Sequence, residues 1–122
     1  MANVINWFEI PASNFDRALK FYGAVLNQEL QQQEIMGTQM GFFNNENDGV
    51  SGSVCYGEGY VPSATGALVY LSGGQDLAEP LGRVESAGGQ VVMPKTKISD
   101  EIGYMAVFMD SEGNRMAFHS PN

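Results

Sequence analysis

A chain of 122 residues, 43% hydrophobic and 16% charged, has the size and make-up of one globular domain that can bury its own core. The formal net charge of −8, with only six scattered Lys and Arg, argues against a nucleic-acid partner, which needs a clustered basic face. No apolar run approaches the roughly 18 residues of a membrane helix. The first residues also lack the basic-then-apolar order of a secretory leader. No membrane partner is therefore expected, and the single cysteine, Cys55, rules out an internal disulfide and points to a cytoplasmic setting.

In chain order, Val4–Ile10 is rich in β-formers and stops at Pro11. Ser13 is placed to cap a helix, with Asp16 favourable in its first turn. Phe15, Ala18, Leu19, Tyr22, Val25 and Leu26 recur at helical spacing, leaving Arg17 and Lys20 outward. Asn27 suits the left-handed residue that closes such a helix. Strands are expected at 29–35, 38–43 and 50–56, followed by a Gly/Pro/Ser-rich connector at 57–66.

The order then restarts. Ala67–Leu71 reads as a strand. Asp76-Leu77-Ala78-Glu79 opens a second helix with a buried stripe of Leu77, Leu81, Val84 and Ala87, ending at Gly88-Gly89. A short strand at 90–93 is expected to stop at Pro94, with a loop from Lys95 to Gly103 and then a final hairpin. The two hairpins resemble each other: Gly37 to Asn44 and Val50 to Ser53 match Gly103 to Asp110 and Arg115 to Phe118, each pair flanking a polar turn. Such self-similarity marks a duplicated unit. The expected fold is α+β: a single domain at 1–122 built from two βαβββ modules, about 1–58 and 66–122.

Phe8-Glu9-Ile10-Pro11 leading into Arg17-Ala18-Leu19-Lys20-Phe21-Tyr22, with Asp110-Ser111-Glu112-Gly113-Asn114-Arg115 near the end, resembles the vicinal oxygen chelate superfamily over the whole chain. That superfamily includes glyoxalase I, extradiol dioxygenases and bleomycin-resistance proteins. The resemblance implies two curved sheets closing around a ligand cavity with the helices outside, and pairing into a homodimer. It also implies four metal-ligand positions, which fall on Trp7, a residue near Gly52, Ala67 and Ala117. None offers the imidazole, carboxylate or thiolate that a transition metal needs, so no metal and no cofactor are expected.

Alternation along strands groups the remaining candidates. If Phe8 and Ile10 pack under the helices, Trp7 and Glu9 face the cavity. Trp7 then either stacks a planar or cationic ligand or fills the space of the missing metal site. Glu9 is either a base with a raised pKa or a paired group at the rim. Val69, Leu71, Met105, Val107, Ala117 and His119 are expected on the same concavity. Arg115 shares the face of His119 and can hold an anion. Cys55 reads as a small buried hydrophobe.

Three functions fit these residues. The first is metal-independent binding of a small-molecule ligand. The second is metal-independent lyase or isomerase chemistry using Glu9, His119 or Arg115. The third is a domain that works mainly by oligomerising.

Overall fold

The computed structural model describes residues 3–45 and 49–122, so the middle of the first unit's polar turn lies outside the described residues. The first unit runs β1 (Phe8–Pro11), α1 (Phe15–Leu26), β2 (Gln31–Ile35), β3 (Thr38–Phe42) and β4 (Gly52–Tyr56). The second repeats it as β5 (Val69–Ser72), α2 (Ala78–Leu81), β6 (Gln90–Ser99), β7 (Gly103–Met109) and β8 (Arg115–Ser120). The sheets have orders β1-β4-β3-β2 and β5-β8-β7-β6, the same permutation, each with one parallel pair closing an antiparallel set. This is the duplicated βαβββ architecture that the hairpin repeat predicts.

Local chemistry explains most element boundaries. The α1 cap is Asn14, whose side chain accepts from the Arg17 N–H, and not Ser13. Asn27 closes the helix at φ 54° and ψ 51°, as its residue type suggests. The second helix is far shorter than its apolar stripe implies. Pro80 lacks an N–H, and the chain then continues in turns through Gly88, partly on three-residue spacings such as Arg83 N–H to Pro80 C=O. Leu77 and Val84 are nonetheless fully buried. The β6 strand runs through Pro94 to Ser99, where a loop was expected. It keeps pairing with β7 by shifting register near Met93–Thr96, a bulge that accommodates the missing proline donor.

One shared core joins the units, and this overturns the expectation of helices on the outside. Phe21 of α1 lies 6.2 Å from Phe108 of the second sheet, and Phe108 stacks on Phe118 at 4.8 Å. Tyr22 meets Phe43 of the first unit edge-on at 5.5 Å. Ala18, Phe21, Tyr22 and Val25 form one buried stripe of α1 that meets residues of both sheets, so the helix sits between them. Each sheet therefore turns one face to the helices and leaves the other face free.

A polar seam locks this arrangement. The Asp110–Asn114 turn between β7 and β8 reaches the β1–α1 junction of the other unit. Glu112 accepts from the backbone N–H groups of Ser13 (2.9 Å) and Asn14 (2.8 Å), and from Arg17 Nε at 2.7 Å. Asp110 accepts from the Tyr22 hydroxyl at 2.6 Å, and Asn114 donates to the Pro11 carbonyl at 2.7 Å. Burial and then the Asp110 charge hold the Tyr22 phenol well above its ordinary pKa.

Candidate functional site

The free face of the first sheet is built by strand alternation. Phe8 and Ile10 pack into the core, which turns Trp7 and Glu9 to the other side. In register, Glu9 lies opposite Ser53, and Ser53 opposite Phe42. Trp7 and Phe42 form a tilted aromatic pair with centroids 6.0 Å apart, and the indole stays 44% exposed. Glu9 is exposed and accepts a 2.9 Å hydrogen bond from the hydroxyl of Tyr60, a residue of the 57–66 connector. That bond is the main reason the Tyr60 phenol is pushed up to about 12. Beneath them Ser53 and Cys55 are fully buried, with Ser53 Oγ 3.3 Å from Cys55 Sγ. Burial raises the Cys55 thiol pKa, which keeps it a protonated packing group, as its sequence context suggests.

The free face of the second sheet carries Tyr70, Ser72, Met105, Val107, Arg115, Ala117 and His119. Their register is Tyr70 opposite Ala117, Ser72 opposite His119 and Met105 opposite His119. The Tyr70 hydroxyl points to Met105 Sδ at 3.9 Å. His119 Nε2 lies 2.6 Å from the Ile102 carbonyl, a geometry that commits that nitrogen as a donor. A cavity of about 620 Å³ opens at the end of this face, bordered by His119, Tyr70, Ser72, Ile98 and Ile102 and also touching Leu71. Arg115 is exposed at the start of β8.

Val69 and Leu71 do not share this face. Both pair with residues of the helix-side core, Val69 with Met116 and Leu71 with Phe118. The reason is local: Ala67 to Leu71 is apolar throughout, so its alternation carries no inside-outside signal, and pairing with β8 sets the parity. Aligning Phe8-Glu9-Ile10 with Val69-Tyr70-Leu71 would have found Tyr70 as the counterpart of Glu9. Phe42, Tyr60 and Ser72 are the other free-face or bordering residues that sequence reasoning missed.

Within one chain the expected single concavity does not form. Trp7 and Glu9 lie on one free face, and Met105, Val107, Arg115, Ala117 and His119 on the other, each turned away from the shared core. Glu9 and His119 are consequently not brought together as an acid–base pair. Hydrogen-bond reach is the first requirement for one.

The residues at the superfamily's metal positions do not fit a transition metal. A side chain at Gly52 would run into Phe8 on the helix side, so the free-face position beside it is Ser53. That leaves an indole, a hydroxyl and the methyls of Ala67 and Ala117. Among the described residues, no three His, Cys, Asp or Glu side chains gather as a metal would require.

No family model matches the chain, and no curated protein matches it significantly. Solved structures do. TnmS3, an antibiotic binding protein from Streptomyces sp. CB03234, is 21% identical with a TM-score of 0.66, over 100% of this chain and 99% of that one. A glyoxalase/bleomycin resistance protein from Albidiferax ferrireducens T118 is 13% identical with a TM-score of 0.67, over 95% and 98%. A glyoxalase I mutant from Zea mays is 14% identical with a TM-score of 0.68 over 95% of this chain. The chain spans less than half of that maize protein, 45% of its length. The chain shares the fold of these glyoxalase and bleomycin resistance structures.

Proposed function

We propose that the protein binds a small planar or cationic organic molecule without a metal ion, between free sheet faces brought together when two copies pair. The observation that carries this reading is the Trp7–Phe42 pair. An indole 44% exposed beside a second ring and the Glu9 carboxylate is a stacking platform with one acceptor at its edge. On the second sheet's free face the half-buried Met105 and the exposed Tyr70 supply an adaptable opposing wall. Because the two faces of one chain point apart, a second copy is needed to oppose them, which supports a homodimer. Structural neighbours include an antibiotic binding protein, consistent with a small-molecule ligand. The net charge of −8 fits neither a nucleic-acid partner nor an anionic surface, and the free Cys55 fits the cytoplasm.

The test is a titration with planar organic cations, followed by the fluorescence of Trp7, the sole tryptophan. Binding should shift its emission, and Trp7→Ala should weaken binding measured by calorimetry while leaving the melting temperature nearly unchanged. A variant that melts far lower, with ligand affinity intact, would identify the indole as packing filler.

A further inference from the structure

The unit boundary holds a second cavity, which reaches Tyr70 and Ser72 at the end of the second sheet but none of the Trp7–Glu9 platform. About 780 Å³ opens between the β3–β4 connection of the first unit and strand β5 of the second. Its floor is the unsealed end of the shared core: Phe8, Leu26, Phe43, Val69 and Leu71. The Phe8 and Phe43 rings lie 5.8 Å apart at 33°, giving a flat apolar bed. This volume lies within the range of small-molecule sites, which are apolar bodies with a few polar groups.

The rim supplies those polar groups unequally. Gln28 and Asn44 satisfy each other, with the Asn44 N–H donating to Gln28 Oε1 at 2.7 Å. Among the described residues, Arg83 is the one cationic side chain in the wall. Its Nε donates to the Val25 carbonyl at 2.8 Å, which anchors the guanidinium at the end of α1. Among the described residues no carboxylate pairs with Arg83. An anchored guanidinium matches a carboxylate through two parallel hydrogen bonds. Glu79 stands on the same rim and disfavours a second anionic group.

We propose that this groove binds an amphipathic monocarboxylate, its hydrocarbon body on Phe8, Phe43 and Leu71 and its carboxylate on Arg83. The site lies apart from Trp7, Glu9 and His119 and does not rest on the free-face reading. Val69 and Leu71, expected from sequence to touch a ligand, would do so here, from the helix side of their strand.

Decanoate and decan-1-ol, titrated separately and followed by backbone amide shifts, test the proposal. Decanoate should saturate with shifts centred on Val69–Gly74 and Phe43–Asn44, binding at least about tenfold tighter than the alcohol, as one charge-assisted contact provides. Arg83→Gln should erase that preference, and Arg83→Lys should retain part of it. Trp7→Ala should leave decanoate affinity unchanged, which separates this site from the free faces. If Arg83→Gln fails to fold, the acid–alcohol comparison in the unaltered protein still decides. Equal affinity for acid and alcohol would overturn the proposal, as would shifts centred on Trp7 and Glu9, or no saturation at millimolar decanoate. Dissociation of a dimer by Val69→Phe, without loss of decanoate binding, would instead make the groove a contact between copies.

Discussion

Duplication gives this molecule two equivalent seams, and they are finished differently. At one, the β7–β8 turn enters the β1–α1 junction and fills it with Glu112, Asp110 and Asn114, each hydrogen-bonded to the opposite unit. At the other, the β3–β4 connection and the β5–α2 junction line an open groove of about 780 Å³. The helices account for much of the difference. Twelve residues of α1 span both sheets, whereas α2 makes a single turn and leaves the floor of the groove uncovered. One copy of the unit thus serves cohesion, and its twin keeps a space.

The contrast breaks first in the core. Phe21→Ala at the filled seam should cost about 3–5 kcal/mol, since the ring is fully buried against Phe108 and Tyr22. Leu26→Ala, on the half-buried wall of the groove, should cost about 1 kcal/mol, because the lost side chain already borders open space. Urea denaturation of both variants measures the gap. Equal costs would mean the groove is closed in solution.

Acid sharpens the comparison next. Burial opposes the charge on Glu112, but hydrogen bonds from Arg17, the Asn14 N–H and Ser111 outweigh it and hold the carboxyl at about 2, against an ordinary 4.5. A depressed carboxylate stabilises the fold fully above its unfolded pKa, and the contribution fades as pH falls from about 4.5 to about 2. It amounts to at most about 3 kcal/mol, less because Arg17 is half exposed and solvent-screened. Glu112→Gln should lower stability at pH 7 and flatten its decline over that window. A variant that tracks the unaltered protein throughout would show the seam to be held by packing alone.

The sequence was most legible where two periodicities agreed. The repeated hairpins gave the βαβββ order, and the 3.6-residue stripe gave α1 with its Asn27 terminus. It was least legible where one residue class ran unbroken. Ala67–Leu71 carries no parity, so the sequence does not show that Val69 and Leu71 pair with the helix-side core, while alternation in Trp7-Phe8-Glu9-Ile10 does separate the core pair Phe8 and Ile10 from Trp7 and Glu9. The placement of α1 between the sheets was hidden for a similar reason, since a wide apolar stripe does not say how many neighbours it will meet. Tyr60 was hidden in the connector, where neither strand nor helix period applies. The Glu112 contacts to Ser13, Asn14 and Arg17 span nearly the whole chain, a distance at which no local pattern speaks.

The smallest expected effect concerns the free face, where little stability is at stake. Tyr60 is held at about 12 chiefly by donating to Glu9. A phenol whose folded pKa is raised stabilises the native state below its unfolded pKa near 10. That contribution disappears as pH climbs through about 12. Tyr60→Phe should change stability at pH 7 by less than about 0.5 kcal/mol, as for other solvent-facing substitutions. Glu9→Gln should bring one late-titrating phenol back toward 10 in an absorbance titration, with the buried Tyr22 still strongly delayed. If Glu9→Gln leaves the tyrosine titration unchanged, the connector does not hold Tyr60 over Glu9 in solution. The carboxylate would then stand unpartnered beside Trp7, a stronger anchor for a cation than the paired group.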